Sequence, residues 1–202
     1  MSKLKIAVLY YSSTGANHQM AKWAEAAAES TGAEVRRRFF RETAPEAAIA
    51  QNEAWKSFHD NIGKKETPAE LDDLEWADAI VFCVPTRYGN LPGQAAAFID
   101  TTGGLWFNGK LANKIVTGIT SAQNPLGGQE STLTTLYKTM MHWGAIIVPT
   151  GYTDKALFAA GGNPSGTSAT VSGSGEIQNA DAVKAAITHQ VKRLAGIAEK
   201  MI

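Results

Sequence analysis

Two spacings of hydrophobic residues alternate along the chain, and their alternation predicts its architecture. Ile6, Ala7, Val8, Leu9 and Tyr10 form an unbroken apolar run, which suits a strand covered on both faces in a parallel sheet. Met20, Trp23, Ala24 and Ala27 then recur at helical spacing, with Lys22, Glu25 and Glu29 left to water, predicting a helix over 17–30 that Thr31-Gly32 ends. A second strand is expected over 33–40; Arg36, Arg37 and Arg38 within it point to a partly exposed edge or to a counter-charge for an anionic cofactor. The signal weakens from Glu42 to Leu71, with a helical tendency over 47–59 around Ile49, Trp55 and Phe58 and an exposed connection at Gly63 to Pro68. Further helices are expected over 69–76, from Pro92 to Ile99, over 129–142 and over 180–201, and further strands over 79–84, 111–119 and 145–148. Residues 154–175, rich in Gly and Ser, show no convincing strand and read as a flexible connection or a cover for a site. Strands separated by helices predict a doubly wound α/β fold with a five-stranded parallel sheet and helices on both faces. With no repeat or low-complexity linker, residues 1–202 read as a single domain.

Composition narrows the function classes. Nineteen basic and nineteen acidic residues balance, so no overall field draws nucleic acid or an acidic membrane. No apolar run approaches a bilayer-spanning length, and the start MSKLKIAV enters a strand-like run without a secretory cleavage pattern, so no membrane insertion is expected. Cys83 is the single cysteine, which excludes an intrachain disulfide and fits a reducing cytoplasm. Its neighbours Val81, Phe82 and Val84 favour a buried, inert thiol. His18, His59, His142 and His189 lack metal-ligand spacing, so no metal site is expected. His142 closes a helix, where a histidine can be favourable without doing chemistry.

The chemistry gathers in loops that follow strands. Ser12-Ser13-Thr14-Gly15 joins the first strand to the first helix, aiming hydroxyls and the helix's unpaired N–H groups at one point. A phosphate fits there, and so does a plain capped turn, since Ser and Thr are ordinary N-cap residues. No lysine or arginine lies between Tyr10 and Lys22, so this loop would hold an anion by hydrogen bonds rather than by a local charge. Pro85-Thr86-Arg87-Tyr88-Gly89-Asn90 follows the strand over 79–84 and offers a guanidinium, a hydroxyl and an aromatic ring. Residues 101–108 read as a loop in which Gly103-Gly104 expose Leu105, Trp106 and Phe107 as a lid or an oligomer contact, with closure of the core as the alternative. The polar stretch from Thr120 to Gly128 is either a wrap around a bound ring or a mobile connection. There is no GxGxxG turn after the first strand and no GxxxxGK[ST] sequence, which disfavours a Rossmann dinucleotide site and a P-loop hydrolase. A phosphate at the first loop and a planar ring against the later two point instead to a mononucleotide such as FMN.

At these residues the chain resembles the WrbA family of flavodoxin-like NAD(P)H:quinone oxidoreductases. The matching segments are Val8-Leu9-Tyr10-Tyr11-Ser12, the Pro85 to Asn90 loop, Thr102-Gly103-Gly104-Leu105-Trp106, Gly127-Gly128-Gln129-Glu130, and His142 followed by Gly144 and Ile147-Val148-Pro149. The resemblance implies a flavodoxin-like homotetramer with one FMN per subunit. Ser12, Ser13, Thr14, Gly15, Ala16 and Asn17 would hold the phosphate. Pro85, Thr86, Arg87, Tyr88, Gly89 and Asn90 would border the isoalloxazine, as would Thr120, Ser121, Ala122, Gln123 and Asn124 with Gly127 and Gly128. His142 would stand near the flavin, and Trp106 would form an active-site wall between subunits. NADH or NADPH would supply two electrons and a quinone would accept them in a ping-pong sequence, with Tyr88 and Trp106 bordering the planar substrates and His142 orienting a quinone oxygen. A one-electron flavodoxin-type carrier and a nonenzymatic FMN-binding interaction protein are the alternative readings. Thr14 stands where the family carries an aromatic, Ala16 where it carries a histidine or similar residue, and Ser165 where it carries tyrosine in a Gly-Gly-x-Pro-Tyr-Gly pattern. The loop containing Asn124-Pro125-Leu126 is longer than the family's.

Overall fold

Parallel pairing spreads in both directions from the first apolar run. The structure, a computed structural model, describes residues 3–201. Strand β1 (Lys5–Tyr10) pairs with β2 (Glu34–Phe39) on one side and β3 (Ala79–Pro85) on the other, and β4 (Ile115–Ala122) continues from β3. The fifth position is shared: β5 (Ile146–Ile147) pairs with the start of β4 and β6 (Ser168–Thr170) with its end. The order is β2-β1-β3-β4-β5 with β6 completing the last position, a flavodoxin-like doubly wound sheet. β1 and β3 are buried on both faces, as their unbroken apolar runs require, whereas β2 is an edge.

Helices cover both faces, and β4 shows how. A Cβ at Gly118 would stand 2.7 Å from Leu133 and 2.9 Å from Leu136, so helix α7 (Gln129–Trp143) lies directly on that face. One residue earlier the chain points the other way. There the Thr117 hydroxyl accepts from Gln190 Nε2 at 2.7 Å, on helix α9 (Ala180–Ala198), which packs beside α1 (Ala16–Glu29). Helix α5 (Gly93–Asp100) joins the α7 face through Phe98 on Phe40, and Phe40 and Trp143 both meet Phe82.

Four stretches differ from the sequence expectation. The helix expected over 47–59 is two, α2 (Glu46–Ile49) and α3 (Glu53–Asn61), because Asn52 Oδ1 accepts the Trp55 N–H and starts a new helix. A 3-10 turn (Gly63–Lys65) and α4 (Leu71–Trp76) follow. Residues 101–108 are not an open loop: the glycine pair begins a short helix, α6 (Gly103–Phe107), with Trp106 N–H donating to Thr102 O. β4 begins later than 111 because Leu111, though buried, sits in a turn that reaches φ +64° at Asn113. It also continues past 119, since Thr120 donates to Val84 O and Ser121 to Asn17 Oδ1, so the hydroxyls that read as loop are satisfied inside. The Gly- and Ser-rich 154–175 contains α8 (Lys155–Ala159) and β6, which takes the edge of β4 that two-residue β5 leaves free. Gln190 fastens this segment, accepting from Thr167 N–H and donating to Gly118 O. Of the two readings of the β2 arginines, the structure shows the paired edge: Arg36 and Arg38 meet Asp73, and Arg37 meets Glu25 and Glu66.

Candidate active site

The strands' carboxyl ends open a cavity of about 460 Å³ at the point where the chain order reverses between β1 and β3. Its walls include Ser12, Ser13, Thr14, Ala16 and Asn17 after β1, and Pro85, Thr86, Arg87 and Tyr88 after β3. Ser121, Ala122, Gln123, Asn124 and Gly127 at the end of β4 complete the three predicted loops. Val171 to Gly173, just past β6, add a wall from the 154–175 stretch, in keeping with its reading as a cover for a site, and Asn52 with Trp55 add one that the sequence did not indicate.

The loop after β1 is shaped as an anion cradle. Ser12 is buried, and its hydroxyl accepts the Gly15 N–H at 2.9 Å while Gly15, at φ +101°, turns the chain into α1. No side chain caps that helix, so its first N–H groups stay free for a ligand. Gly175 closes over the loop so tightly that a Cβ there would lie 2.2 Å from Thr14 O. The Asn17 side chain is spent on structure: it accepts from Ser121 Oγ at 2.6 Å and its amide points to Cys83. His18, in the first turn of α1, adds no positive charge at neutral pH, since burial lowers its pKa against the opposing pull of Glu66.

Positive charge reaches the cradle from elsewhere in the sequence. Arg87 donates to Ser13 Oγ and to Thr86 O, each at 3.1 Å, and so ties the loop after β3 to the loop after β1. A tight turn aims it: Arg87 and Asn90 exchange backbone hydrogen bonds of 2.9 Å around Tyr88 and Gly89, at φ +51° and +75°. Positive φ at both central residues is type I′ geometry, which a Gly at the latter position eases. Tyr88 stands fully exposed at the tip, 102% accessible, beside the cavity mouth.

Glu42 builds the unforeseen wall. One carboxylate oxygen accepts from Tyr11 OH at 2.7 Å and Trp55 Nε1 at 3.0 Å; the other accepts from Gln94 Nε2 at 2.5 Å and from the Thr43 and Ala44 N–H groups, both at 2.9 Å. Burial pushes the Glu42 pKa up, the hydrogen bonds pull it down harder, and it ends below the ordinary carboxylate value. An isolated acid in a weakly patterned stretch carries no sequence signal for this role.

Other expected residues stand apart from this cavity. Thr120 turns its hydroxyl into the sheet, and Gly128 packs against Gly89, where a Cβ would meet the Gly89 Cα at 2.8 Å. His142 and Trp106 line a different cavity, of about 480 Å³, together with Asn90, and Trp106 Nε1 donates to His142 O at 2.9 Å. A larger cavity, about 720 Å³, lies beyond the 124–128 turn. Its size does not make it the reaction site, because the strand ends and the anion cradle belong to the 460 Å³ cavity. Ser165 lends its carbonyl to Tyr137 OH at 2.5 Å, outside the cradle's lining. Among the described residues, no group of three or more His, Cys, Asp or Glu could hold a metal, and no helix is long and apolar enough to cross a membrane.

The cradle and its neighbouring loops fit FMN: N–H groups and hydroxyls at one end, Arg87 beside them, and aromatic and backbone groups further along. The profile of the family described as NADPH-dependent FMN reductase matches residues 4–157. The chain is 50% identical over 201 residues to a NAD(P)H dehydrogenase (quinone) of Deinococcus radiodurans, covering 98% of each. It is 36% identical to one from Geotalea daltonii, again over 98% of both chains. The chain belongs to the WrbA family. Among solved structures, a WrbA-like flavodoxin from Agrobacterium tumefaciens superposes with a TM-score of 0.65 at 21% identity, covering 98% of this chain and 99% of that one, a likeness of fold. The 124–128 turn is the ridge between the 460 and 720 Å³ cavities.

Proposed function

We propose that this WrbA-family chain is an FMN-dependent oxidoreductase that passes two electrons from NADH or NADPH to a quinone. The observation that carries the reading is the anion cradle of Ser12 to Asn17, joined by Arg87 to the loop after β3 and set at the sheet's switch point. FMN, when bound, supplies the hydride chemistry; the chain supplies position and electrostatics. Free N–H groups at the start of α1 and the hydroxyls of Ser13 and Thr14 hold the phosphate, with the Arg87 guanidinium as counter-charge. Thr86 to Tyr88 and Ala122 to Asn124 flank the ring, and Trp55, fixed by Glu42, closes another side. Nicotinamide and quinone use the same mouth in turn, beside Tyr88, which is a ping-pong sequence.

Another copy of the chain completes the mouth in this reading. Trp106, Phe107 and Met141 are 54%, 82% and 65% exposed on adjoining α6 and α7, an apolar patch suited to subunit contact. A homotetramer would bring Trp106 and His142 of one subunit to the flavin of another. The near-neutral charge and lone buried thiol suit a cytoplasmic enzyme without nucleic-acid partners. Steady-state rates with NADH or NADPH against benzoquinone test the activity: parallel double-reciprocal lines are expected. Intersecting lines would overturn the shared mouth, and absence of turnover with both donors would overturn the enzyme.

A further inference from the structure

The 720 Å³ cavity does not stand alone: it shares two ridges with the cavity fitted to FMN. In the turn after β4, Asn124 and Gly127 face the FMN cavity while Pro125, Leu126 and Gly128 face the larger one. Along β6 and the residues after it, Ser168 and Thr170 face the larger cavity and Val171 to Gly173 face the smaller. A molecule seated at the FMN cavity therefore has another recess immediately beyond the ridge.

The larger recess has the chemistry of a neutral nucleoside site. Tyr152 and Phe158 lie nearly parallel in its wall, ring centroids 5.3 Å apart at 11°, and each is 61% exposed. The two rings stack on each other, and a purine can extend that stack. Gln178, Asn179 and Thr170, all with hydrogen-bonding side chains, line the same recess. Asn179 is held at φ +49° at the start of α9, and its side chain caps nothing there, so the amide is free to read a ligand. Among the described residues lining the recess, Glu130 alone is charged, in the first turn of α7; no lysine or arginine joins it. A carboxylate suits the two hydroxyls of an unmodified ribose and repels a 2′-phosphate, which an arginine would accept.

We propose that this recess holds the adenosine end of the nicotinamide donor, stacked at Tyr152 and Phe158, and that Glu130 makes NADH the preferred donor over NADPH. The proposal rests on the reading of NAD(P)H as electron donor. It concerns this chain's own lining, although the family profile it matches is described by NADPH.

The test uses the FMN-loaded protein and two kinds of readout. In turnover with benzoquinone, NADH should exceed NADPH in kcat/KM by at least about tenfold, the scale of one like-charge contact. Glu130→Gln should narrow that ratio and Glu130→Arg should reverse it. Tyr152→Ala should lower kcat/KM for NADH on the order of tenfold, the upper range for one aromatic stack. Reduced nicotinamide mononucleotide, which has no adenosine, should be used equally well by the Tyr152→Ala and parent proteins. Calorimetric titration with ADP-ribose reads the recess without turnover: it should bind the parent and bind Tyr152→Ala more weakly. Equal use of both donors, an equal loss with the adenosine-free donor, or absence of ADP-ribose binding would each overturn the proposal. ADP-ribose binding without turnover on either donor would leave the recess assigned and overturn the enzymatic reading instead.

Discussion

The Arg87 guanidinium donates to Ser13 Oγ at 3.1 Å across 74 residues of sequence, joining the two loops that flank the sheet's switch point. Neither loop reveals this partnership by itself. The loop after β1 has no cation of its own, and the loop after β3 has the character of a ring-binding turn with a basic residue in it. Together they make a cradle with a counter-charge. Arg87→Ala should weaken FMN binding about tenfold, the low end for a charge-assisted hydrogen bond at an exposed site, on the order of 1.5 kcal/mol. Arg87→Lys should recover part of that loss, because lysine keeps the charge but not the fork. Fluorescence titration of the apoprotein with FMN measures both, and unchanged affinity in Arg87→Ala would place the residue outside the phosphate end.

Glu42 should prove a stability residue and a site residue at once. Replacing it with alanine leaves the Tyr11 hydroxyl, the Trp55 and Gln94 N–H groups and two backbone N–H groups without their acceptor. The cost should be about 2 kcal/mol, or roughly 4–8 °C in Tm for a chain of this size. Trp55 should then move off the cavity wall, so FMN-dependent quenching of tryptophan emission should fall in Glu42→Ala and in Trp55→Phe. Quenching that survives in both would remove Trp55 from the wall.

The same carboxylate sets a pH dependence with a definite sign. Its native pKa lies below the ordinary value, so its charged form is favoured by folding. That contribution is complete above the unfolded pKa of about 4.3 and fades as pH falls through the lower native value. The stability gap between the parent and Glu42→Gln should therefore be widest near neutrality and shrink below about pH 4. Denaturant melts at a series of pH values would show it; a gap that widens on acidification would contradict the assignment.

Cys83 should behave as core rather than as chemistry. It has no exposed surface, and burial pushes its thiol up to about 12. Native protein should resist iodoacetamide at pH 8 and react within minutes once unfolded. Rapid labelling of the native chain would mean that β3 opens locally, since a buried neutral thiol is a poor nucleophile.

The sequence revealed those parts of the fold where one residue pattern had one structural solution. β1 and β3 are apolar on both faces and could only lie inside a parallel sheet. It misled where polar groups are satisfied by distant partners. Thr120 and Ser121 read as loop because their acceptors, Val84 O and Asn17 Oδ1, lie 36 and 104 residues away. β6 was invisible because its pairing comes from an edge that β5 leaves open, a property of the sheet and not of Ser168 to Thr170. At the site, the hydroxyl-rich loop and the Arg87 turn were legible from spacing. Trp55 reads as a packing residue, and its place on the wall depends on Glu42, thirteen residues earlier in a weakly patterned stretch.

The separation of Trp106 and His142 from the cradle gives the last prediction. Within one chain they line a 480 Å³ cavity and the cradle lines another of 460 Å³, so the proposed assembly has Trp106 and His142 meet the FMN of a neighbouring subunit. Phe107 and Met141 beside them leave a large apolar surface for that neighbour. Two variants, each defective in a different half of the mouth, should therefore complement. In the proposed assembly Arg87→Ala damages the cradle of its own subunit and Trp106→Ala the wall lent to another. Each alone should lower quinone reduction, Arg87→Ala through FMN affinity and Trp106→Ala through the KM of the planar substrates with FMN affinity kept. Co-expressed with different tags and purified through both, mixed assemblies contain some mouths built from an intact cradle and an intact wall. They should recover a fraction of parent activity that neither pure variant shows, and sedimentation should give four chains per particle. An active monomer at working concentration, or mixed assemblies no better than the average of the two variants, would mean that each chain carries a whole mouth of its own.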